Sequence, residues 1–107
     1  MKLVIAIVSN EDSTAASRAL TKAHYSVTRL ATTGGFLMSG NTTLLVGTEE
    51  KNVDEVLRLI GENSRKRTKL ISANTSFNAG VYSGMPVEVS VGGATVFVME
   101  VDRYEKL

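Results

Sequence analysis

The sequence has no cysteine and only one histidine, His24, among its 107 residues. The absence of cysteine excludes disulfides, thiolate metal sites and cysteine nucleophiles, and it fits a reducing cytoplasm, where we expect the protein to act. A single histidine cannot build a metal cluster by itself, and most such residues are exposed or structural. We therefore expect no metal site.

Familiar catalytic and cofactor-binding motifs are also missing. The chain contains neither a P-loop nor a GxGxxG sequence, and no Ser-His-Asp set can be assigned around one histidine. The carboxylate pairs Glu11-Asp12, Glu49-Glu50 and Asp54-Glu55 fall where helix starts favour acids, so they do not indicate general acid-base chemistry. The sequence favours a binding protein over an enzyme and predicts no cofactor.

The charge balance is nearly even. Twelve Lys and Arg against eleven Asp and Glu leave a formal net charge of +1, without the basic excess of a general nucleic-acid binder. The apolar run at residues 2–8 is too short to span a membrane, and no signal-peptide cleavage pattern follows it. We expect one domain over residues 1–107 and no nucleic-acid or membrane partner.

Hydrophobic patterning predicts an α+β fold with the order β-α-β-β-α-β and one extra strand, which is the ferredoxin-like pattern. A capping box at Asn52 and Glu55 predicts the start of the second helix, and Gly92-Gly93 predicts a hairpin between the last two strands. The first helix is indicated by capping residues from Ser9 and alanines at helical spacing. The predicted strands cover residues 2–8, 25–31, 42–47, 65–72, 85–91 and 94–102.

The predicted sheet is apolar on both faces. In the first strand the odd positions from Leu3 to Ile7 are apolar, and so are the even positions from Val4 to Val8. Two helices cover only one face, and about 25 cal/mol per Å² of exposed apolar surface opposes leaving the other face wet. We therefore predict self-association through the sheet; the alternative is that the long loop at 73–84 covers this face.

Two glycine-containing segments indicate a ligand site. Residues 30–43 hold three glycines and four threonines around Phe36-Leu37, so they can turn sharply, offer backbone N–H groups and present an aromatic ring to a phosphorylated small molecule. The glycines are equally compatible with ordinary tight turns. Phe77 and Tyr82 in the later loop could stack on a planar ligand or hold that loop against the body.

The runs 31–37, 40–43, 86–89 and 91–99 closely resemble the PII-like cyclic-di-AMP receptor family of Gram-positive bacteria, and the resemblance covers the whole chain. It implies a PII-like homotrimer with one cyclic-di-AMP pocket between neighbouring subunits, at the base of segments near 32–41 and 73–85. It also implies a signalling receptor without catalysis, in which the bound ligand orders both loops and so controls a downstream protein that the sequence does not identify.

Family roles transfer to matching residues. The resemblance implies that Thr28 and Asn41 hydrogen-bond an adenine or a phosphate, and that the backbone of Gly47 contacts adenine. It further implies that Gly35, Phe36 and Leu37 line the base and sugar, with Phe36 supplying the ring contact.

The chain departs from the family pattern at the start of its second strand. Where members commonly read Asn-Phe-Arg-x-Thr, this chain has His24 in place of a base-reading Asn and Ser26 in place of a phosphate-binding Arg. Met38 replaces a further Arg. These departures motivate an alternative, a diverged trimer that binds another adenine nucleotide or acts by protein contact alone. Acylphosphatases share the ferredoxin-like plan, but the Arg-bearing phosphate loop that they need is absent.

Overall fold

The computed structural model describes residues 1–31, 40–72 and 86–107. In this part of the chain six strands and two α-helices are present, with a short 3-10 turn at Glu50–Asn52. The elements are β1 Lys2–Ser9, α1 Asn10–Lys22, β2 Val27–Ala31, β3 Asn41–Thr48, α2 Val53–Glu62, β4 Arg67–Ser72, β5 Pro86–Val91 and β6 Ala94–Glu100.

The main sheet has four strands in the order β2-β3-β1-β6, and every neighbouring pair is antiparallel. The last strand therefore lies beside the first, as in a ferredoxin-like sheet, and the predicted α+β class is confirmed. An ion pair between Lys2 and Glu100 joins register partners at one end of the β1–β6 pair. It holds the pKa of the Glu100 carboxyl below its usual value, through a hydrogen bond and the charge of Lys2.

Both helices pack on one face of this sheet. Val4, Ala6 and Val8 of β1 are at most 1% exposed. They share the core with one pair of fully buried residues from each helix, in which the two residues are four positions apart. The core cluster is Val4, Ala6, Val8, Ala16, Leu20, Leu44, Val46, Val56 and Ile60. The helices thus take the even side of β1, which leaves the odd side to face away from them. No helix of the described residues is long and apolar enough to cross a membrane.

The outer face, defined as the side of the main sheet opposite the helices, is apolar and only partly covered. Ile5 and Leu3 of β1 lie opposite Phe97 and Met99 of β6, so all four share this side. Phe97 and Met99 are 53% and 51% exposed, and Leu30 at the other edge is 52% exposed. The prediction of two apolar faces is confirmed for the described residues.

The predicted hairpin at Gly92-Gly93 is wrong. β5 pairs with β4 in a separate two-stranded antiparallel ribbon, from Arg67 opposite Val91 to Ser72 opposite Pro86, whereas β6 pairs with β1. The two glycines therefore carry the chain from the ribbon into the main sheet. Both β4 and β5 therefore belong to the ribbon, and the main sheet keeps four strands.

The helix starts also differ from the predicted caps. Asn52 is the N-cap residue of α2, but neither it nor Ser9, the N-cap of α1, makes a side-chain cap hydrogen bond. The Ser9 hydroxyl instead donates to the Asp12 carboxylate at 3.0 Å. The 3-10 turn ahead of α2 supplies a backbone bond from Asn52 N to Glu49 O, so the helix begins without a capping box.

Gly92 is required by the connection between ribbon and sheet. Its φ is +85°, in the left-handed region, and a Cβ placed on it would overlap the backbone carbonyl oxygen of Arg65. The Gly93 N–H donates to Ser64 O nearby, so the backbone at this crossing is held close to the end of α2. Only glycine satisfies both the dihedral angle and the close approach.

We predict that Gly92→Ala lowers the free energy of unfolding by about 1–3 kcal/mol, because the backbone must leave the left-handed region or move off Arg65. Gly61→Ala is the matched control: no atom lies within 4 Å of its added Cβ, and within α2 the change should stabilise by roughly 0.5–1 kcal/mol. Urea unfolding at one fixed protein concentration measures both. Equal effects of the two substitutions would contradict the assignment.

Candidate ligand-binding site

Three of the residues implied by the resemblance share the outer face of the sheet. In β3 the buried residues are Thr42, Leu44, Val46 and Thr48, so Asn41 and Gly47 belong to the opposite side. Thr28 of β2 pairs with Leu45, which is on that same side. The structure therefore brings Thr28, Asn41 and Gly47 to the face that the helices leave uncovered.

These residues lie at two ends of the face. Thr28 is opposite Leu45, two positions from Gly47, and Ser26 precedes β2 on the Gly47 side because Val27 pairs with Val46. Asn41 is four residues from Leu45 in the other direction, roughly 14 Å along an extended strand. Ser26, Thr28 and Gly47 thus form one group, called here the Gly47 group, and Asn41 stands apart. Gly35, Phe36, Leu37 and Met38 lie outside the described residues, as do Phe77 and Tyr82.

Gly47 occupies a regular strand position that does not need glycine. It pairs with Leu3 in an unbroken register, and its φ is not positive. A Cβ added there would meet only the Met1 sulfur, at 3.8 Å, an ordinary van der Waals contact. Glycine weakens a strand and often marks a place where a ligand or another backbone approaches closely. Nothing within the described chain accounts for a glycine at this position.

His24 has a structural role at the end of α1. The N–H of Tyr25 donates to Leu20 O and that of His24 to Thr21 O, the two bonds of a Schellman motif at the end of α1. His24 occupies the left-handed position of this motif, with φ 72°. Asn adopts that conformation readily, so the Asn of the family pattern and the His of this chain fit the same backbone requirement.

Tyr25 begins the approach to β2 and packs against the core cluster. Burial raises the pKa of its phenol, and the charge of Glu55 and a hydrogen bond to Glu55 raise it further. The side chain therefore remains a neutral phenol. Its packing against the core supports the backbone that leads to Ser26 and Thr28.

The first turn of α1 is bonded to the start of β3. The Asn10 N–H donates to Gly40 O at 3.1 Å, and the Thr42 hydroxyl donates to the Asn10 side-chain oxygen at 2.6 Å. Thr42 is only 2% exposed. These bonds position the backbone immediately before Asn41 and hold it against the end of β1.

The same turn of α1 holds the ribbon. The Arg67 guanidinium donates to both carboxylate oxygens of Asp12, at 3.0 and 3.2 Å, and lies 3.5 Å from Glu11. Lys69 donates to the other Glu11 oxygen at 2.6 Å. Bidentate pairing with Asp12 raises the pKa of Arg67, and Asp12 is only 7% exposed. The base of β4 and the start of β3 are thus both bonded to one helical turn.

Sequence reasoning interpreted Glu11 and Asp12 as ordinary acids of a helix start. The structure uses them as partners of β4, 55 or more positions further along the chain. No local pattern could have indicated this pairing, since a carboxylate in a first helical turn is already explained by the helix dipole. Within residues 1–31, 40–72 and 86–107, no group of three or more His, Asp or Glu is placed to hold a metal ion.

Two comparisons with known proteins identify relatives of this chain. A family model described as cyclic-di-AMP receptor matches residues 1–107. A crystal structure of a functionally unknown protein from Pediococcus pentosaceus ATCC 25745 is 42% identical, covering 99% of this chain and 96% of that chain with a TM-score of 0.75. The match extends over every element described above and confirms the resemblance found in the sequence. The chain belongs to the cyclic-di-AMP receptor family.

Proposed function

We propose that this chain is a non-enzymatic receptor that binds cyclic-di-AMP between the subunits of a PII-like homotrimer. Its family supports the second messenger as the ligand. Contact with the ligand would order the segments near 32–41 and 73–85, and the ordered surface would admit or release a protein partner. Such coupling requires the ligand to prefer one loop arrangement over the other.

Gly47 is the single observation that carries this proposal. An exposed strand position that tolerates a Cβ sterically, yet holds glycine, is explained if an adenine base lies directly on the backbone. Thr28 lies beside it on the neighbouring strand and offers a hydroxyl that can donate or accept. The Gly47 group therefore has the flat floor and the adjacent hydrogen-bonding side chain that a base needs.

The separation of the Gly47 group from Asn41 supports a site formed by two subunits. Asn41 and Gly47 are six residues apart on β3, roughly 20 Å in an extended strand, so one compact ligand does not reach both within a single chain. A ligand at a seam could contact the Gly47 group of one subunit and Asn41 of the next. This arrangement also keeps every named residue on the face that would meet a second copy.

The exposed apolar residues of the outer face support the trimer. Phe97, Met99 and Leu30 are each about half exposed, and Leu3, Ile5 and Ile7 lie between the two edges on the same side. Contiguous apolar surface of this kind on a small domain marks an association site. Three copies that turn these faces toward a common axis would remove it from water.

We predict that the chain sediments as three chain masses and that Phe97→Glu releases monomer, because a carboxylate on the outer face would be buried without a partner. Tyr104→Glu is the matched control, since Tyr104 is 61% exposed and lies beyond β6. Analytical ultracentrifugation measures both variants beside the unmodified protein. A monomer for the unmodified chain would refute the trimer, and equal dissociation of both variants would refute its assignment to the outer face.

We predict that Gly47→Ala weakens cyclic-di-AMP binding by about tenfold or more, since the added methyl group occupies the surface on which the base rests. The free energy of unfolding should stay the same or rise by roughly 0.5–1 kcal/mol, because alanine is better than glycine in a strand. Isothermal titration calorimetry with cyclic-di-AMP, and with cyclic-di-GMP and ATP as comparison ligands, measures the affinities. Gly61→Ala should leave binding unchanged. Unchanged binding in Gly47→Ala would remove the main support for this site.

We predict that Ser26→Arg strengthens cyclic-di-AMP binding about tenfold, because a charge-assisted bond to a phosphate contributes roughly 1.5–3 kcal/mol against about 1 kcal/mol for a neutral one. Ser90→Arg, an exposed position on β5, adds the same charge away from the site and should change little. Calorimetry with both variants decides. An equal gain in both would indicate general electrostatic attraction rather than a phosphate contact at Ser26.

The alternative is a trimer that binds another adenine nucleotide or acts by protein contact alone. Ser26 favours it, because an exposed serine supplies no positive charge next to Gly47. His24 gives it less support than the sequence suggested, since the Schellman motif explains the residue at that position. In the same calorimetric series, heat with ATP and none with cyclic-di-AMP would favour the alternative.

A further inference from the structure

We propose that the groove between α1 and β2, called here the basic groove, binds an acidic, extended segment of a partner protein. The groove is open and measures about 590 Å³. Among the described residues, its walls carry only hydroxyl and cationic side chains: Thr14, Ser17, Arg18, Thr21, Lys22 and Arg29.

The charges of the groove are unbalanced. Arg18, Lys22 and Arg29 line it, no carboxylate does, and none of the three takes part in an ion pair within the described residues. Elsewhere on the helices Arg58 pairs with Glu62 at i, i+4 spacing. Arg18 and Lys22 have that same spacing with like charges, which costs α1 a few tenths of a kcal/mol. A negatively charged occupant would reverse this cost.

The position of the Arg29 side chain is fixed by a hydrogen bond. It pairs with Leu44, which is fully buried, so Arg29 extends toward α1 and not toward the outer face. Its guanidinium donates to the Ser13 hydroxyl at 3.0 Å, and Ser13, itself 1% exposed, donates to Asn10 O at 3.0 Å. A fixed guanidinium loses less side-chain entropy when it binds a carboxylate, and its remaining N–H groups stay available.

The spacing of the cations favours a peptide over a single small anion. Arg18 and Lys22 are separated by one helical turn, about 6 Å, which is close to the roughly 6.8 Å between alternate side chains of an extended chain. Two carboxylates on one side of an extended segment would meet them in register. The hydroxyls of Thr14, Ser17 and Thr21 can donate to the same carboxylates or to the peptide backbone.

A long nucleic acid fits less well. The chain carries a net charge of only +1, and carboxylates lie in the first turn of α1 and along α2. A polyphosphate backbone would meet these repulsive charges beyond the groove, whereas a short acidic peptide would not. The groove lies on the helical side of the sheet, whereas Thr28, Asn41 and Gly47 lie on the outer face. The groove is therefore separate from the proposed ligand site, and the proposal for it does not depend on that site.

The test uses the full chain and fluorescein-labelled hexaglutamate, followed by fluorescence polarisation. Arg18→Gln with Lys22→Gln should weaken binding about tenfold or more, and rising ionic strength should weaken binding to the unmodified protein. Lys51→Gln with Lys106→Gln is the matched control, because it removes the same charge from exposed residues outside the groove. Arg18→Lys with Lys22→Arg keeps both charges and should retain binding. Thermal unfolding should show that all variants remain folded.

Four outcomes would overturn the proposal. The first is no binding of hexaglutamate to the unmodified chain, and the second is an equal loss of binding in the groove and control variants. The third is equal binding of a labelled single-stranded oligonucleotide, which would indicate a general polyanion surface. The fourth is a change of assembly state confined to the groove variant in analytical ultracentrifugation, which would show that a second copy of the chain occupies the groove.

Discussion

The two apolar faces of β1 constrain the rest of this molecule. As an inner strand of the main sheet, β1 has a row of fully buried residues under the helices and a second apolar row on the other side. The described residues form only two α-helices, and both lie on the first side. The outer face therefore needs cover from outside the described chain, and Thr28, Asn41 and Gly47 lie on this same face. The proposed association and the proposed ligand contacts thus share one surface.

Much of the main sheet could be predicted from the sequence, because strand parity and helical spacing are local signals. The apolar pattern of β1 indicated both faces, and the alanines at helical spacing indicated α1, where Ala16 is fully buried. The partner of β5 could not be predicted in this way. Gly92-Gly93 has the composition of a hairpin turn, but whether two strands pair or separate depends on neighbours distant in sequence. Here the backbone of Arg65 lies against Gly92, and the chain passes from ribbon to sheet.

Some features of the candidate site could likewise be predicted from local geometry, and others could not. That Thr28, Asn41 and Gly47 share a face follows from period-two geometry once the register is known. The contacts of Asp12 with Arg67 do not follow, because they join a helix start to a strand 55 positions away. His24 illustrates a third situation. Its position in the family pattern suggested contact with a base, yet the left-handed backbone at the end of α1 accounts for it. The backbone conformation at a position must therefore be considered before its residue is assigned to a ligand.

Gly92 and Gly47 differ in whether the chain itself explains the presence of glycine. At Gly92 the chain explains its own glycine, through a positive φ and the Arg65 carbonyl. At Gly47 neither reason holds, and the strand would be more stable with almost any other residue. The cations of the basic groove resemble Gly47 in this respect. They have no ion-pair partner among the described residues, and α1 would be more stable with a carboxylate among them. A feature that costs stability and has no internal cause points to a contact outside the chain: a base at Gly47, and an acidic segment beside Arg18 and Lys22.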